Sequence, residues 1–260
     1  MDPDPEVVTD EGARARMVAT GWPWRVRHRE SGAELLLVPP GEFMRGSLEE
    51  SDEYMPDEYP PQHMIVDRPY YLARTELTRA QWLAVMEPGP ESWGENDGDK
   101  PATDVTFDQI QEFLGQSGLG LPRNSEWEYA CRAGTTGQRY GPIDEIAWYS
   151  DNSTEPMPVG LLKPNAWGFY DTIGNVWEFT STFQQDLRRY WTKEPQTVIA
   201  EDEIQSLKRS IRGGGGGLQP IDMRAPYCLG QFPDRARNSV GLRAAFHLPN
   251  ATVTGGESDG

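Results

Sequence analysis

Apolar side chains recur at helical spacing in three stretches of this chain, and the same capping pattern precedes each of them. The apolar positions are Trp82/Met86, Phe107/Ile110/Phe113/Leu114 and Trp127/Ala130/Cys131. The capping patterns are Thr78-x-x-Gln81, Thr106-x-x-Gln109 and Ser125-x-x-Glu128. In such a capping box, side-chain and backbone groups at the start of a helix satisfy each other's hydrogen bonds. These signals predict three short helices whose apolar faces belong to the core.

Strand patterns are concentrated in the first third of the chain. Residues 33–38 predict a strand, Pro39-Pro-Gly41 a turn, and residues 42–45 the returning strand of a hairpin. Strand character resumes over residues 63–71. Beyond residue 135 no regular period persists, and residues 184–209 form a polar insertion of mixed charge.

The sequence predicts a single α+β domain with much irregular structure over residues 21–249. Its 22 prolines and 27 glycines indicate many turns, and neither an internal repeat nor a compositional linker divides the core. Residues 1–20 are polar and are expected to be a disordered tail, as are residues 250–260.

The stretch 165–180 fits neither a helix nor a strand pattern. It combines several aromatic residues with Gly168 and Gly174, and Asp171 and Glu178 bracket its central part. Glycines permit backbone conformations that other residues avoid, so an irregular core segment is predicted. Its carbonyl groups could bind calcium, which accepts backbone and carboxylate oxygens. The alternative is a buried loop closed by side-chain hydrogen bonds and water.

Charge and composition restrict the partners and the compartment. The 24 basic and 41 acidic residues give a net charge of −17, which argues against a nucleic-acid partner. The sequence contains no apolar run of about 18 residues, which is the length that a membrane-spanning helix needs, so no membrane span is predicted. The N-terminus lacks the basic and apolar regions of a signal peptide, so a cytoplasmic protein is predicted. Six carboxylates over residues 49–58 indicate a solvated loop or, alternatively, a metal site.

No catalytic constellation is evident from the residue types. Residues 213–217 are all glycine, but no phosphate-binding lysine follows them. His28, His63 and His247 are far apart in the chain and share no ligand spacing. Cys131 lies on a predicted apolar helix face. Cys228 is interpreted as structural, although Arg224 could lower its pKa if the two were close.

An ordered set of motifs over residues 34–246 resembles the formylglycine-generating enzyme family, also called sulfatase-modifying factors. The motifs are Leu37-Val-Pro-Pro-Gly-Glu-Phe-Met-Arg-Gly46, Pro61-Gln-His-Met-Ile65, Thr75-Glu-Leu-Thr78, Leu121-Pro-Arg-Asn-Ser-Glu-Trp-Glu-Tyr-Ala130, Pro158-Val-Gly160, Pro164-Asn165, residues 168–179, Arg212-Gly-Gly214 and Gly241-Leu-Arg243. Each motif is weak alone, whereas the ordered set is specific. The resemblance implies a C-type-lectin-like α+β fold with much irregular structure.

The resemblance also implies structural calcium. By position, the ligands of a first site are the side chains of Asp171 and Glu178 and the carbonyls of Gly174 and Val176. A second site of the family corresponds to the carboxylate of Asp151 and the carbonyl of Ser153. The upstream ligands of that second site fall where this chain is shorter.

The catalytic residues of the resembled enzymes have no counterpart here. Those enzymes use two copper-binding cysteines, and the corresponding positions are Gly215 and Pro220. Cys228 falls at a position that is commonly arginine in the family. Cys131 lacks its disulfide partner, because Ala244 stands there. Copper-dependent oxidation of a sulfatase cysteine is therefore not expected, and no copper is predicted.

Two functions remain open from the sequence. The first is a non-catalytic binding or effector module for a protein or small-molecule ligand, like the diversity-generating-retroelement variable proteins. Its predicted binding surface is Leu218, Ile221, Met223, Tyr227 and Phe232. The second is an oxidoreductase of the wider family, of the non-haem iron type. Those iron enzymes draw histidines from a separate helical domain, for which this sequence shows no counterpart.

Overall fold

Two four-stranded sheets and a two-stranded ribbon organise the computed structural model, which describes residues 2–48, 58–184, 207–215 and 217–249. The strands of the described part are β1 (Arg25–Arg27), β2 (Glu34–Val38), β3 (Gly41–Arg45), β4 (Gln62–Val66), β5 (Tyr70–Ala73), β6 (Trp177–Phe183), β7 (Arg209–Arg212), β8 (Cys228–Gln231), β9 (Val240–Leu242) and β10 (Ala245–His247). The first sheet has the order β1-β2-β5-β10, the second β8-β7-β6-β9, and β3 pairs with β4. All neighbours are antiparallel except β6 and β9, which run parallel.

Short helices connect these sheets. They are α1 (Glu11–Ala19), α2 (Arg79–Leu83), α3 (Phe107–Ser117), α4 (Asn124–Arg132), α5 (Ile143–Ile146) and a 3₁₀ turn at Pro220–Asp222. One large apolar cluster includes side chains from α1 through β10, and a smaller one surrounds Trp127. The described residues therefore form one mixed α+β domain, which confirms the predicted fold class and the prediction of a single domain.

The first two predicted capping boxes are confirmed and the third is wrong. The side chains of Thr78 and Thr106 each accept a hydrogen bond from the backbone N–H of the glutamine three residues later. The side chain of that glutamine in turn accepts from the backbone N–H of the threonine. The last predicted helix instead begins at Asn124, and Glu126 accepts from the N–H of Arg123 at 2.7 Å. Glu128 is buried among arginines and cannot cap a helix.

The predicted hairpin over residues 33–45 is also wrong, although both of its strands exist. β2 pairs with β1 and β5, whereas β3 pairs with β4 in the separate ribbon. Four consecutive side chains of β2, from Leu35 to Val38, are buried. Such a strand needs cover on both faces, so it occupies the interior of a sheet. The strand predicted over residues 63–71 divides into β4 and β5.

Residues 1–20 are not a loose tail over the part that the structure describes. Asp10 caps α1 by accepting from the N–H of Ala13 at 3.0 Å, and its other oxygen accepts from the Trp167 indole at 3.0 Å. Val8, Ala13 and Met17 are fully buried. The apolar positions are too few and too widely spaced to produce a clear helical pattern. The predicted tail at 250–260 lies outside the described residues, as does most of the polar insertion.

Candidate functional site

The loop that precedes β6 is tightly curled. Asp171, Gly174 and Asn175 all have positive φ angles, of 52°, 87° and 60°. The N–H of Gly174 donates to the carbonyl of Gly213 at 2.8 Å, and the N–H of Asn175 donates to that of Trp148 at 2.9 Å. A Cβ atom on Gly174 would lie 2.5 Å from the Trp148 carbonyl oxygen. Only glycine fits this close backbone contact.

Glu178, a predicted calcium ligand, lies in β6 and forms a fully buried ion pair with Arg243. The guanidinium donates to both carboxylate oxygens at 2.7–3.1 Å, and the Trp127 indole donates to one of them at 2.5 Å. Arg243 also donates to the carbonyls of Ala73 and Tyr170. Burial opposes the charge on Arg243, but the Glu178 carboxylate outweighs this and holds the arginine pKa above its usual value. One guanidinium thus offsets the charge of Glu178.

Two further buried carboxyl groups share this region, and each has an oxygen atom without a hydrogen-bond partner in the described residues. They are Asp171, through Oδ1, and Glu76, through Oε1. The second oxygen of Asp171 accepts from the N–H of Gly160 at 2.6 Å, and that of Glu76 accepts from Asn175 at 3.4 Å.

The electrostatics of these two carboxyl groups favour a bound cation or a proton. Burial raises the pKa of Asp171 to about 6. Burial also raises the pKa of Glu76, and the charges of Asp171 and Glu178 raise it further. Three carboxyl groups therefore face one guanidinium in a dry environment. An unmatched buried charge is costly unless a proton or a cation neutralises it.

The donor set of this loop fits a calcium ion rather than a transition metal. Within the described ranges, no three side chains of His, Cys, Asp or Glu are grouped to hold a metal ion. A site here would depend on backbone carbonyls, which calcium accepts readily. The unpartnered oxygens of Asp171 and Glu76 provide two carboxylate donors. Glu76 was missed by sequence reasoning, although it lies in the Thr75–Thr78 motif, because nothing local connects it to Asp171.

The residues of the second predicted calcium site lie in an exposed turn. Asp151 is exposed, and its carboxylate accepts from the Ser150 hydroxyl at 2.9 Å. Ser153 donates its N–H to the carbonyl of Tyr149 and its hydroxyl to that of Glu155. The contacts of these two side chains are made within the turn itself.

Neither position aligned with the reactive cysteines can supply a thiol, and the two cysteines of the chain are buried. Burial raises the pKa of Cys131 to about 12. Cys228 contacts the Ser210 hydroxyl at 3.2 Å and the Asn124 amide at 3.3 Å. Arg224 is paired with the buried carboxylate of Glu58, with one N–O distance of 3.0 Å. Glu58 is the described member of the acidic run, whose other carboxylates lie outside the described residues.

The five residues of the predicted binding surface do not form one exposed surface. Met223 and Tyr227 are buried in the core, and Leu218 is half-buried. Ile221 and Phe232 are 39% and 37% exposed. They lie before and after the four-residue strand β8, and a strand of that length spans about 13 Å. Most of the aromatic and aliphatic side chains of this tract therefore pack in the protein interior.

The three histidines contact different neighbours. His28 lies near Ser31, Glu30 and the carbonyl of Ser117. His63 pairs with Glu42 at 3.0 Å, and His247 pairs with Glu126 at 2.9 Å. The structure therefore does not bring the histidines into a common metal centre.

Fold and sequence together define a sulfatase-modifying-factor type of domain. Residues 24–248 match the family model described as the sulfatase-modifying factor enzyme 1-like domain. The chain belongs to this family, which confirms the predicted resemblance.

Curated relatives and solved structures agree with this assignment. The chain is 25% identical to the formylglycine-generating enzyme of Bos taurus, over 95% of this chain and 71% of that protein. It is 24% identical to the hercynine oxygenase of Mycolicibacterium smegmatis, over 82% of this chain and 61% of that one. Two solved structures share the fold. PvdO from Pseudomonas aeruginosa has a TM-score of 0.73 at 23% identity, covering 86% of this chain and 98% of that one. Treponema denticola variable protein 1 has a TM-score of 0.69 at 19% identity, covering 87% and 100%.

None of the helices in the described ranges has the length and apolar character of a membrane-spanning segment.

Proposed function

We propose that this chain is a non-catalytic member of its family that binds a protein or small-molecule ligand. The observation that carries the proposal is the replacement of both reactive thiols, by Gly215 and Pro220. A thiolate is the species that would bind copper and react. The remaining thiols do not offer a substitute, since Cys131 and Cys228 are buried in packed surroundings.

The proposed architecture is a C-type-lectin-like frame in which irregular loops present the ligand-binding surface. Loops on a rigid scaffold are common places for recognition, because they can vary without disturbing the core. The fold shared with Treponema denticola variable protein 1 is compatible with this use of the scaffold. Ile221 and Phe232 are the two members of the expected surface that remain exposed.

An oxidoreductase of the non-haem iron type is the second candidate. The similarity to hercynine oxygenase favours it, since the alignment with that relative covers 82% of this chain at 24% identity. Such iron sites use histidines together with a carboxylate. The separate positions of His28, His63 and His247 weigh against this candidate. An iron centre in this chain would need to bring at least two of them together.

Activity and metal content separate these candidates. We expect that copper, oxygen and a sulfatase-type cysteine peptide will leave the peptide mass unchanged, because Gly215 and Pro220 cannot bind copper. Elemental analysis of the purified protein should find neither stoichiometric copper nor stoichiometric iron. A variant with Cys131→Ala and Cys228→Ala serves as the control. Conversion of the peptide by the wild type would refute the non-catalytic proposal, and conversion that persists in this variant would show that neither thiol is required. One bound iron per chain would support the oxidoreductase.

The proposal includes a structural calcium ion at the loop before β6. Its ligands would be the side chains of Asp171 and Glu178 and the carbonyls of Gly174 and Val176. A calcium ion supplies the positive charge that the buried carboxyl groups lack. At Glu178 it would share the carboxylate with Arg243.

Calcium should therefore stabilise the protein. At about 100 times its dissociation constant, an ion that binds only the folded state adds about 2.7 kcal/mol to the free energy of unfolding. We expect Asp171→Asn to reduce the calcium-dependent shift of the melting temperature. Asp67→Asn, at an exposed carboxylate between β4 and β5, is the matched control and should preserve the shift. A wild-type melting temperature that is the same in calcium and in chelator would show that the ion does not bind.

A further inference from the structure

An exposed aromatic ring lies between two cations at the end of β8. The ammonium of Lys208 is 4.6 Å from the ring centroid of Phe232, and the guanidinium carbon of Arg235 is 4.8 Å from it. Phe232 is 37% exposed, and both cations are exposed. We call these three residues the basic aromatic patch. The ring holds both positive charges at the surface through cation–π contacts.

No carboxylate of the described residues forms an ion pair with either cation of the patch. The other two lysines of the described ranges are paired, Lys163 with Glu145 at 2.8 Å and Lys100 with Asp97 at 3.4 Å. In a chain with 41 acidic and 24 basic residues, two cations that contact the same exposed ring form a local concentration of positive charge.

The backbone beneath the patch is fixed by hydrogen bonds. Gln231 and Arg209 are paired partners in the β7–β8 ladder, and the Gln231 amide donates to the carbonyl of Arg235 at 2.9 Å. The carbonyl of Pro233 accepts from the N–H of Phe107, at the start of α3, at 2.8 Å. The turn that carries Phe232 and Arg235 is therefore attached to both the second sheet and α3. A preorganised surface of this kind loses less entropy on binding.

We propose that the basic aromatic patch binds a short acidic segment of a protein partner. This inference rests on the proposed binding function and specifies the chemistry of the partner. Lys208 and Arg235 would pair with two carboxylates, and Phe232 would contact an apolar side chain between them. Charge-assisted hydrogen bonds from arginine and lysine to carboxylates are stronger than neutral ones.

A short acidic peptide fits the patch better than a nucleic acid does. Duplex DNA carries one charge per about 1.7 Å and is bound through many phosphate contacts. The patch offers two cations, and Asp234 is exposed in the same turn. The remaining surface, with the net charge of −17, would repel an extended polyanion.

The test uses the full chain and a fluorescent peptide in which a leucine lies between two pairs of glutamates. We expect saturable binding by fluorescence anisotropy. Lys208→Glu and Arg235→Glu should each weaken it by about tenfold, which corresponds to about 1.4 kcal/mol. Phe232→Ala should weaken it while leaving the charge unchanged. Arg29→Glu, in the exposed turn after β1, changes the net charge by the same amount as Arg235→Glu and should have little effect.

Three outcomes would overturn the inference. These are the absence of saturable binding, an equal loss of affinity in Arg29→Glu, and tighter binding of a single-stranded octathymidine through the same residues. Thermal melting of each variant separates a lost contact from a lost fold. Failure here leaves the proposed function intact, because that function is tested separately by metal content and peptide conversion.

Discussion

Replacing Arg243 by methionine should lower the free energy of unfolding by about 3–5 kcal/mol. Arg243 is fully buried and holds the carboxylate of Glu178, which is also fully buried. Methionine fills similar volume but removes the guanidinium that pairs with the buried Glu178 carboxylate. It also leaves the carbonyls of Ala73 and Tyr170 without their donor. Urea denaturation of the wild type and the variant measures the difference.

Arg25→Met is the matched control for that prediction. Arg25 is 3.9 Å from Glu34, and its side chain is 47% exposed. Exposed ion pairs contribute about 0–1 kcal/mol, so this variant should unfold almost as the wild type does. If both variants lose the same small free energy of unfolding, the buried pair of Glu178 and Arg243 does not contribute more to stability than an exposed ion pair does.

Replacing Gly174 by alanine should cost about 3 kcal/mol or more, because two effects act together. Gly174 has a φ angle of 87°, which an L-amino acid rarely adopts. Its new Cβ would also lie 2.5 Å from the backbone oxygen and 2.8 Å from the backbone nitrogen of Trp148. Backbone atoms cannot move away as a flexible side chain could. The loop before β6, which is proposed to bind calcium, would therefore be distorted together with the backbone at Trp148.

Gly115→Ala is the control for this second prediction. Gly115 lies inside α3, and a Cβ there would meet no atom within 4 Å. Alanine in a helix interior is favoured over glycine by about 1 kcal/mol, so this variant should be slightly more stable. Thermal unfolding of both variants is the measurement. A Gly174→Ala protein as stable as the wild type would show that the loop has another accessible conformation.

Local signals were the part of the fold that the sequence could predict. The capping boxes at Thr78 and Thr106 involve atoms within one turn of chain, so their residues alone were informative. The box proposed at Ser125 was wrong because distant residues decided the outcome. Thr182, from β6, accepts the N–H of Asn124 at 3.0 Å, and Glu128 turns inward toward Arg212. Strand pairing failed for the same reason, since β2 is covered by strands remote in sequence.

The candidate site was likewise predictable only in its contiguous part. Asp171 and Gly174 lie in one aromatic-rich segment that indicates an irregular loop, and the family resemblance implies by position that they are calcium ligands. Glu76 was not identified, because its approach to Asp171 depends on the tertiary fold. Charged residues are seldom fully buried, so the interior pairs Glu58–Arg224 and Glu128–Arg212 had no sequence signal. Hydrophobic patterning does not reveal buried charge.

The arrangement of the last two strands has a consequence for the synthesis of this protein on the ribosome. β9 pairs with β6 in the second sheet, and β10 pairs with β5 in the first. Both sheets thus receive their final strand from residues 240–247. Domains fold as units during translation, at about 5–20 residues per second. Neither sheet of this domain can gain its fourth strand until nearly all the described chain has left the exit tunnel. A nascent chain would hold two incomplete sheet edges until then, and such unpaired edges are sites of aggregation.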